Sequence, residues 1–164
     1  MEELAVLVED LGALVPAIVD EDPARLGIDS DAVDTQTRRV FVNDRGNRRI
    51  QVFDDNGKFL DQWSVGAPPA DIHLIFIDGS RSLWAFDRAS SKMIKYDLNG
   101  NFMYSWGTWG EFAGGMWGVH GFSSDSDGNF YVAEVDNGGA QKYTPRKGAN
   151  PAMLVGKPIR SAWK

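Results

Sequence analysis

The feature that most constrains how this chain can fold is an internal repeat. The segment VFVNDRGNRRIQVFDDNGKFLDQW, from Val40 to Trp63, aligns without a gap on LWAFDRASSKMIKYDLNGNFMYSW, from Leu83 to Trp106, at a shift of 43 positions. Asp44 falls on Asp87, Arg45 on Arg88, Arg49 on Lys92, Ile50 on Met93 and Phe53 on Tyr96. Asp54 then falls on Asp97, Asn56-Gly57 on Asn99-Gly100, Phe59 on Phe102 and Trp63 on Trp106. A third copy, FYVAEVDNGGAQKY from Phe130 to Tyr143, follows the second at a shift of 47. In it Glu134 replaces the Asp, Ala140 the Ile or Met, and Tyr143 the aromatic. A chain of like units has to bury its apolar faces by stacking unit on unit.

Each unit reads as four short strands. In the second copy these are HLIFI, SLWAFD, KMIKYD and NFMYSW, separated by turn signals such as Asp78-Gly79 and Asn99-Gly100. Val40 and Val42 alternate with Phe41 and Asn43, the period-two pattern of a half-buried strand. Four strands recurring at a period in the forties are the signature of a β-propeller blade. The expected class is therefore all-β, with about three blades over residues 28–70, 71–117 and 118–164. Residues 1–27 form a separate leader with helical spacing (Leu4, Leu7, Val8, Leu11, Leu14, Val15, Ile18), expected to be partly helical and outside the repeat.

The stretch VFVNDRGNRRIQVFDDNGKF resembles an NHL repeat, the motif of a family of six-bladed propellers. NFYVAEVDNGGAQKY is a weaker instance, with Gly139 where that family usually carries a long residue. The resemblance runs from about Asp29 to Gly156 and implies a disc of blades whose first strands line a central channel. Three blades are too few to close such a ring, since propellers have about four to eight. The expected partner is therefore another copy of the chain, three blades plus three, or the missing blades of a longer protein.

Composition narrows the function classes. Lys and Arg number 17 and Asp and Glu 23, a net charge of −6. Such a chain is a poor ligand for nucleic acid or anionic lipid, so neither nucleic acid nor membrane is an expected partner. RNA binding, known among animal NHL proteins, is further disfavoured by the lack of an interleaved basic and aromatic face. There is no cysteine, which excludes disulfides, thiolate metal sites and cysteine nucleophiles. No apolar run approaches the roughly 20 residues of a membrane span, and Glu2 and Glu3 stand where a signal peptide would carry Lys or Arg. Full-length relatives with such repeats are often exported. Ten acids oppose Arg25 between Met1 and Asp34, whereas six cations oppose Asp136 from there to the end. The favoured reading is that acidic and basic ends meet within the fold or across a subunit contact, ahead of a basic tail for an anionic partner.

A residue present in every copy is best read as something every blade needs. Asp44 with Arg49, and Asp87 with Lys92, should bridge the hairpin between second and third strands. Trp63 and Trp106 should pack between blades, as should Phe53, Tyr96 and Tyr143. Asp54-Asp55 and the run from Asp125 to Gly128 read as turn chemistry; the second lacks the twelfth-position Glu of a calcium loop. Unrepeated residues are the functional candidates. Trp109, Phe112, Met116 and Trp117 sit in the Gly-rich loop WGTWGEFAGGMWGVHG between second and third blades. They could hold a protein or a planar or apolar small molecule, or the loop could fold over the channel mouth. No G-x-S-x-G elbow, phosphate-binding P-loop or H-E-x-x-H pair is present.

The two histidines, His73 and His120, lie 47 positions apart and so occupy the same place at the start of successive inner strands. Two imidazoles converging on the channel could hold zinc if a third ligand arrives; the alternative is a pair of hydrogen-bonded structural residues. The first copy offers Ser30 there, between Asp29 and Asp31. This pattern resembles the peptidyl-α-hydroxyglycine α-amidating lyases, six-bladed propellers with channel zinc held by histidines. The resemblance implies that His73 and His120 are zinc ligands and that Arg88, after the second strand, matches an active-site arginine. The chain departs from that family at Ile72 and Val119, where prolines precede the histidines, and at Arg45-Gly46, where the catalytic tyrosine lies. The expected function is thus a binding or assembly scaffold acting through loops on one face. The alternative is a zinc-dependent lyase using His73, His120 and Arg88.

Overall fold

The structure is a computed structural model and describes residues 28–66 and 68–157. The leader over 1–27 lies outside the described residues. The described residues form eleven strands in three antiparallel sheets. The first sheet joins β1 (Ile28–Asp34), β2 (Arg39–Asp44), β3 (Arg49–Phe53) and β4 (Phe59–Ser64) in chain order. The second joins β5 (Ile72–Ile77), β6 (Ser82–Asp87), β7 (Lys92–Asp97) and β8 (Phe102–Trp106) in the same way. The third holds β9 (Val119–Ser124), β10 (Phe130–Glu134) and β11 (Gly139–Tyr143). Equivalent residues pair in all three sheets: Val42 opposes Gln51, Ala85 opposes Ile94 and Val132 opposes Gln141.

The turns arise from local chemistry. Gly57 and Gly100 of the Asn-Gly pairs have φ of +78° and +83°, where a Cβ would be strained. Asp54 Oδ1 accepts from the backbone N–H of Asn56 and Lys58, and Asp97 and Asp125 repeat the arrangement. The side-chain amide of Asn129, followed by further donors, lowers the Asp125 carboxyl to about 2. These acids therefore act as turn acceptors. At the hairpin between second and third strands Arg49 reaches Asp44 at 2.6 Å as expected. Asp87 departs from that pattern: it accepts from Asp71 N–H, Ala89 N–H and Ser90 Oγ, while Lys92 is exposed.

Packing between sheets uses the two faces of each strand. On β6, Leu83 and Ala85 join Phe41, Ile50, Val52 and Ile72 in a core between first and second sheets. Trp84 and Phe86, from the other face, join Met93, Phe130 and Val132 between second and third. Every residue of β6 is buried as a result. Trp63 packs edge-on against Phe41, and Trp106 against Phe130 and Tyr143. The inner strands β1, β5 and β9 succeed one another side by side, as successive blades require. Arg81 of the second sheet clamps Asp34 of the first at 2.7 Å. Burial alone would raise the Asp34 carboxyl, but the bonds from Arg81 and Thr37 hold it below the ordinary value.

The third sheet differs from expectation. Among the described residues it has three strands, where the repeat predicts four. After β11 the chain meets Pro145, which cannot donate to a ladder, and turns back across the cleft to the second sheet. There Lys95, only 3 % exposed, donates from Nζ to Ala152 O at 3.0 Å and Leu154 O at 2.8 Å. Gly156 N–H donates to Asp78 Oδ2 at 2.6 Å, and Gly79 N–H to Lys157 O at 2.6 Å. Burial pushes the Lys95 ammonium below its ordinary pKa, and the Asp78 carboxylate partly offsets this.

Candidate functional site

Antiparallel order puts the start of each inner strand, the end of each second strand and the loop entering the next blade at one end of the sheets. Both histidines are there. His73 lies where the β5–β6 register shifts between Ile72 and Leu74, and His120 where the β9–β10 register shifts at Val119 and Gly121. Each is thus the extra residue of a β-bulge, and bulges re-aim a side chain away from its ladder. The two rings meet edge to face with centroids 4.8 Å apart. His73 is half-buried and His120 exposed.

Charged groups from all three sheets frame the pair. Arg45 grips Asp71 through Nε at 2.5 Å and Nη2 at 3.0 Å, tying first sheet to second. The Asp71 carboxyl is held below its ordinary pKa, first by the Arg45 hydrogen bond, which outweighs burial. The fields of Arg45, His73 and Arg88 add to this. Arg88 donates its backbone N–H to Asp71 O at 2.8 Å and its Nη2 to Asp136 Oδ2 at 3.1 Å, tying second sheet to third. Gly118, at φ +65°, lies so close to Asp136 that a Cβ would stand 2.2 Å from Oδ2. Among the described residues, no group of three or more His, Cys, Asp and Glu could hold a metal ion. The described chain thus brings two imidazoles together, short of the three protein ligands of a catalytic zinc site.

The Gly-rich loop is tied down by the third sheet. Gln141 Oε1 accepts from Gly114 N–H at 2.7 Å, and its Nε2 donates to Gly115 O and Glu134 Oε2. Glu134 Oε1 accepts from Trp117 N–H at 2.6 Å, so this repeated acid holds the loop. Trp109 and Phe112 project from it, 59 % and 58 % exposed. Trp117 is half-buried, its ring 6.2 Å from Trp109. Met116, read with them as a binding-loop residue, is fully buried with Trp84 and Phe86, an apolar side chain turned into the second core. No helix among the described residues is long and apolar enough to cross a membrane.

Sequence reasoning passes over Asp71, Asp136 and Gln141. Asp71 and Asp136 have no acidic counterpart in the other copies: Ile28 and Gly118 stand where Asp71 does, and Gly46 and Ala89 where Asp136 does. That break in the repeat is the available signal.

The blades, their register and their stacking define a class. Residues 27–107 match the family described as 6-bladed beta-propeller. The fold of the described residues is that of β-propeller blades. No curated protein matches the sequence significantly. Solved structures similar to it include virginiamycin B lyase from Staphylococcus aureus, 15 % identical, with a TM-score of 0.54 over 73 % of this chain and 42 % of that one. Hydrazine synthase from Kuenenia stuttgartiensis is 13 % identical, with a TM-score of 0.53 over 66 % of this chain and 29 % of that one. The chain therefore spans less than half the length of either structure. At such identities the likeness is one of fold.

Proposed function

We propose that the chain is a binding scaffold that forms half of a six-bladed ring, a second copy supplying the other half. Its working surface is the end that carries the loop from Trp109 to Trp117. The observation behind this reading is the pair of large aromatics, Trp109 and Phe112, held exposed on a loop whose backbone is fixed by Gln141 and Glu134. Rigid exposed aromatics give contact area at little entropic cost and are typical binding hot spots. Replacing both (Trp109→Ser with Phe112→Ser) should abolish partner capture while leaving the circular dichroism spectrum unchanged. Equal capture of the same partners by the variant contradicts the reading.

A second reading is favoured by one observation, the contact of His73 with His120 at 4.8 Å. In a closed ring of two copies, four imidazoles would face one channel end, enough to hold zinc and support lyase-like chemistry near Arg88. Zinc there would act as a Lewis acid; the chain's own contribution would be its imidazole ligands and the guanidinium held by Asp136. Metal analysis of purified protein should then find zinc bound, and His73→Ala with His120→Ala should remove it. Zinc retained by that folded double variant excludes the site.

A further inference from the structure

The blade junctions differ in one respect that creates a cavity. Between first and second sheets, the β7–β8 turn seats on Trp63, so closely that a Cβ on Gly100 would lie 2.5 Å from its ring. Trp106 is the repeat equivalent of Trp63, but among the described residues no strand comes after β11 to supply such a turn. The space left over is a cavity of about 290 Å³, away from the histidine end and beside Gly128 of the β9–β10 turn. Trp84, Trp106, Phe130 and Tyr143 wall it on the sheet side, and the returning segment closes it with Met153 and Arg146. The aromatic walls interlock, with Trp106 4.9 Å from Tyr143 and 6.0 Å from Phe130, and Trp84 5.5 Å from Phe130.

One cation, Arg146, lines this cavity, and a second, Lys95, lies behind its wall against Trp84. Lys95 lies over the Trp84 ring at 5.1 Å with its ammonium committed to the carbonyls of Ala152 and Leu154. Arg146 is exposed at the lining and makes no ion pair among the described residues. Both charges work against a cationic guest, although aromatic walls alone would suit one. A volume near 300 Å³ with apolar walls and one polar anchor fits a small ligand.

We propose that this cavity binds a small planar aromatic carboxylate, its ring among Trp84, Trp106 and Tyr143 and its carboxylate on Arg146. The site is independent of the histidine end and of the scaffold reading. Isothermal titration with indole-3-acetate should give saturable one-site binding. Tryptamine, the same ring with a cationic tail, should bind at least about tenfold more weakly. Arg146→Gln should weaken indole-3-acetate by about tenfold or more, and Met153→Trp, which fills the cavity from its exposed side, should abolish binding. Either variant should keep the circular dichroism spectrum of the parent. Absence of binding at millimolar indole-3-acetate overturns the proposal, as do equal affinity for tryptamine or indifference to both substitutions.

Discussion

Trp84→Ala is expected to lower the folding free energy by about 3–5 kcal/mol, the range for emptying a large aromatic from a core. Trp84 is 1 % exposed and joins three systems. Its ring packs on Phe130 of the third sheet, its Nε1 donates to Asp78 Oδ2 at 2.9 Å, and Lys95 Nζ lies over its face. Alanine would leave a void between two blades and remove the aromatic face beneath a buried ammonium. Against a typical total stability of about 5–15 kcal/mol, that is a large fraction. Urea unfolding monitored by circular dichroism measures it; a loss below about 1 kcal/mol would mean the second and third sheets do not pack through this side chain.

Asp78→Ala should cost about 3 kcal/mol or more and free the C-terminal segment. The carboxylate is fully buried and accepts five hydrogen bonds. Oδ1 takes Ser80 N–H, Ser80 Oγ and Ser82 N–H, closing the β5–β6 turn. Oδ2 takes Trp84 Nε1 and Gly156 N–H, fastening the returning segment to the second sheet. Each buried donor left without an acceptor costs about 1–3 kcal/mol, less where water can enter. Trypsin should therefore cut faster after Arg146 and Lys147 in the variant than in the parent. An unchanged cutting rate would mean that Lys95 and the Gly79–Lys157 hydrogen bond suffice to hold the segment.

These two residues show where sequence reasoning runs out. Asp78 is legible as a turn residue, because Asp-Gly punctuates the repeat; its bond to Gly156, 78 positions away, is not. Nothing in KMIKYD marks Lys95 for burial, yet it is buried because the segment after Pro145 folds back over it. The first and second sheets are legible because their copies align without a gap and each residue's face is set by period two. The third sheet is less so, because the residues after Tyr143 break the repeat and their course depends on long-range contacts. Adjacency of His73 and His120 is implied by their spacing, but the bulges that bring the two rings together leave no mark in composition. Met116 escapes for a similar reason: a loop residue beside exposed aromatics gives no local sign that it is buried.

In the proposed ring, three blades of one copy meet three of another. Light scattering behind a sizing column tests it directly, since the chain's mass is 18.1 kDa. A single sharp species at twice that mass, unchanged on dilution, is the predicted result. A monodisperse, folded species at 18.1 kDa would contradict it.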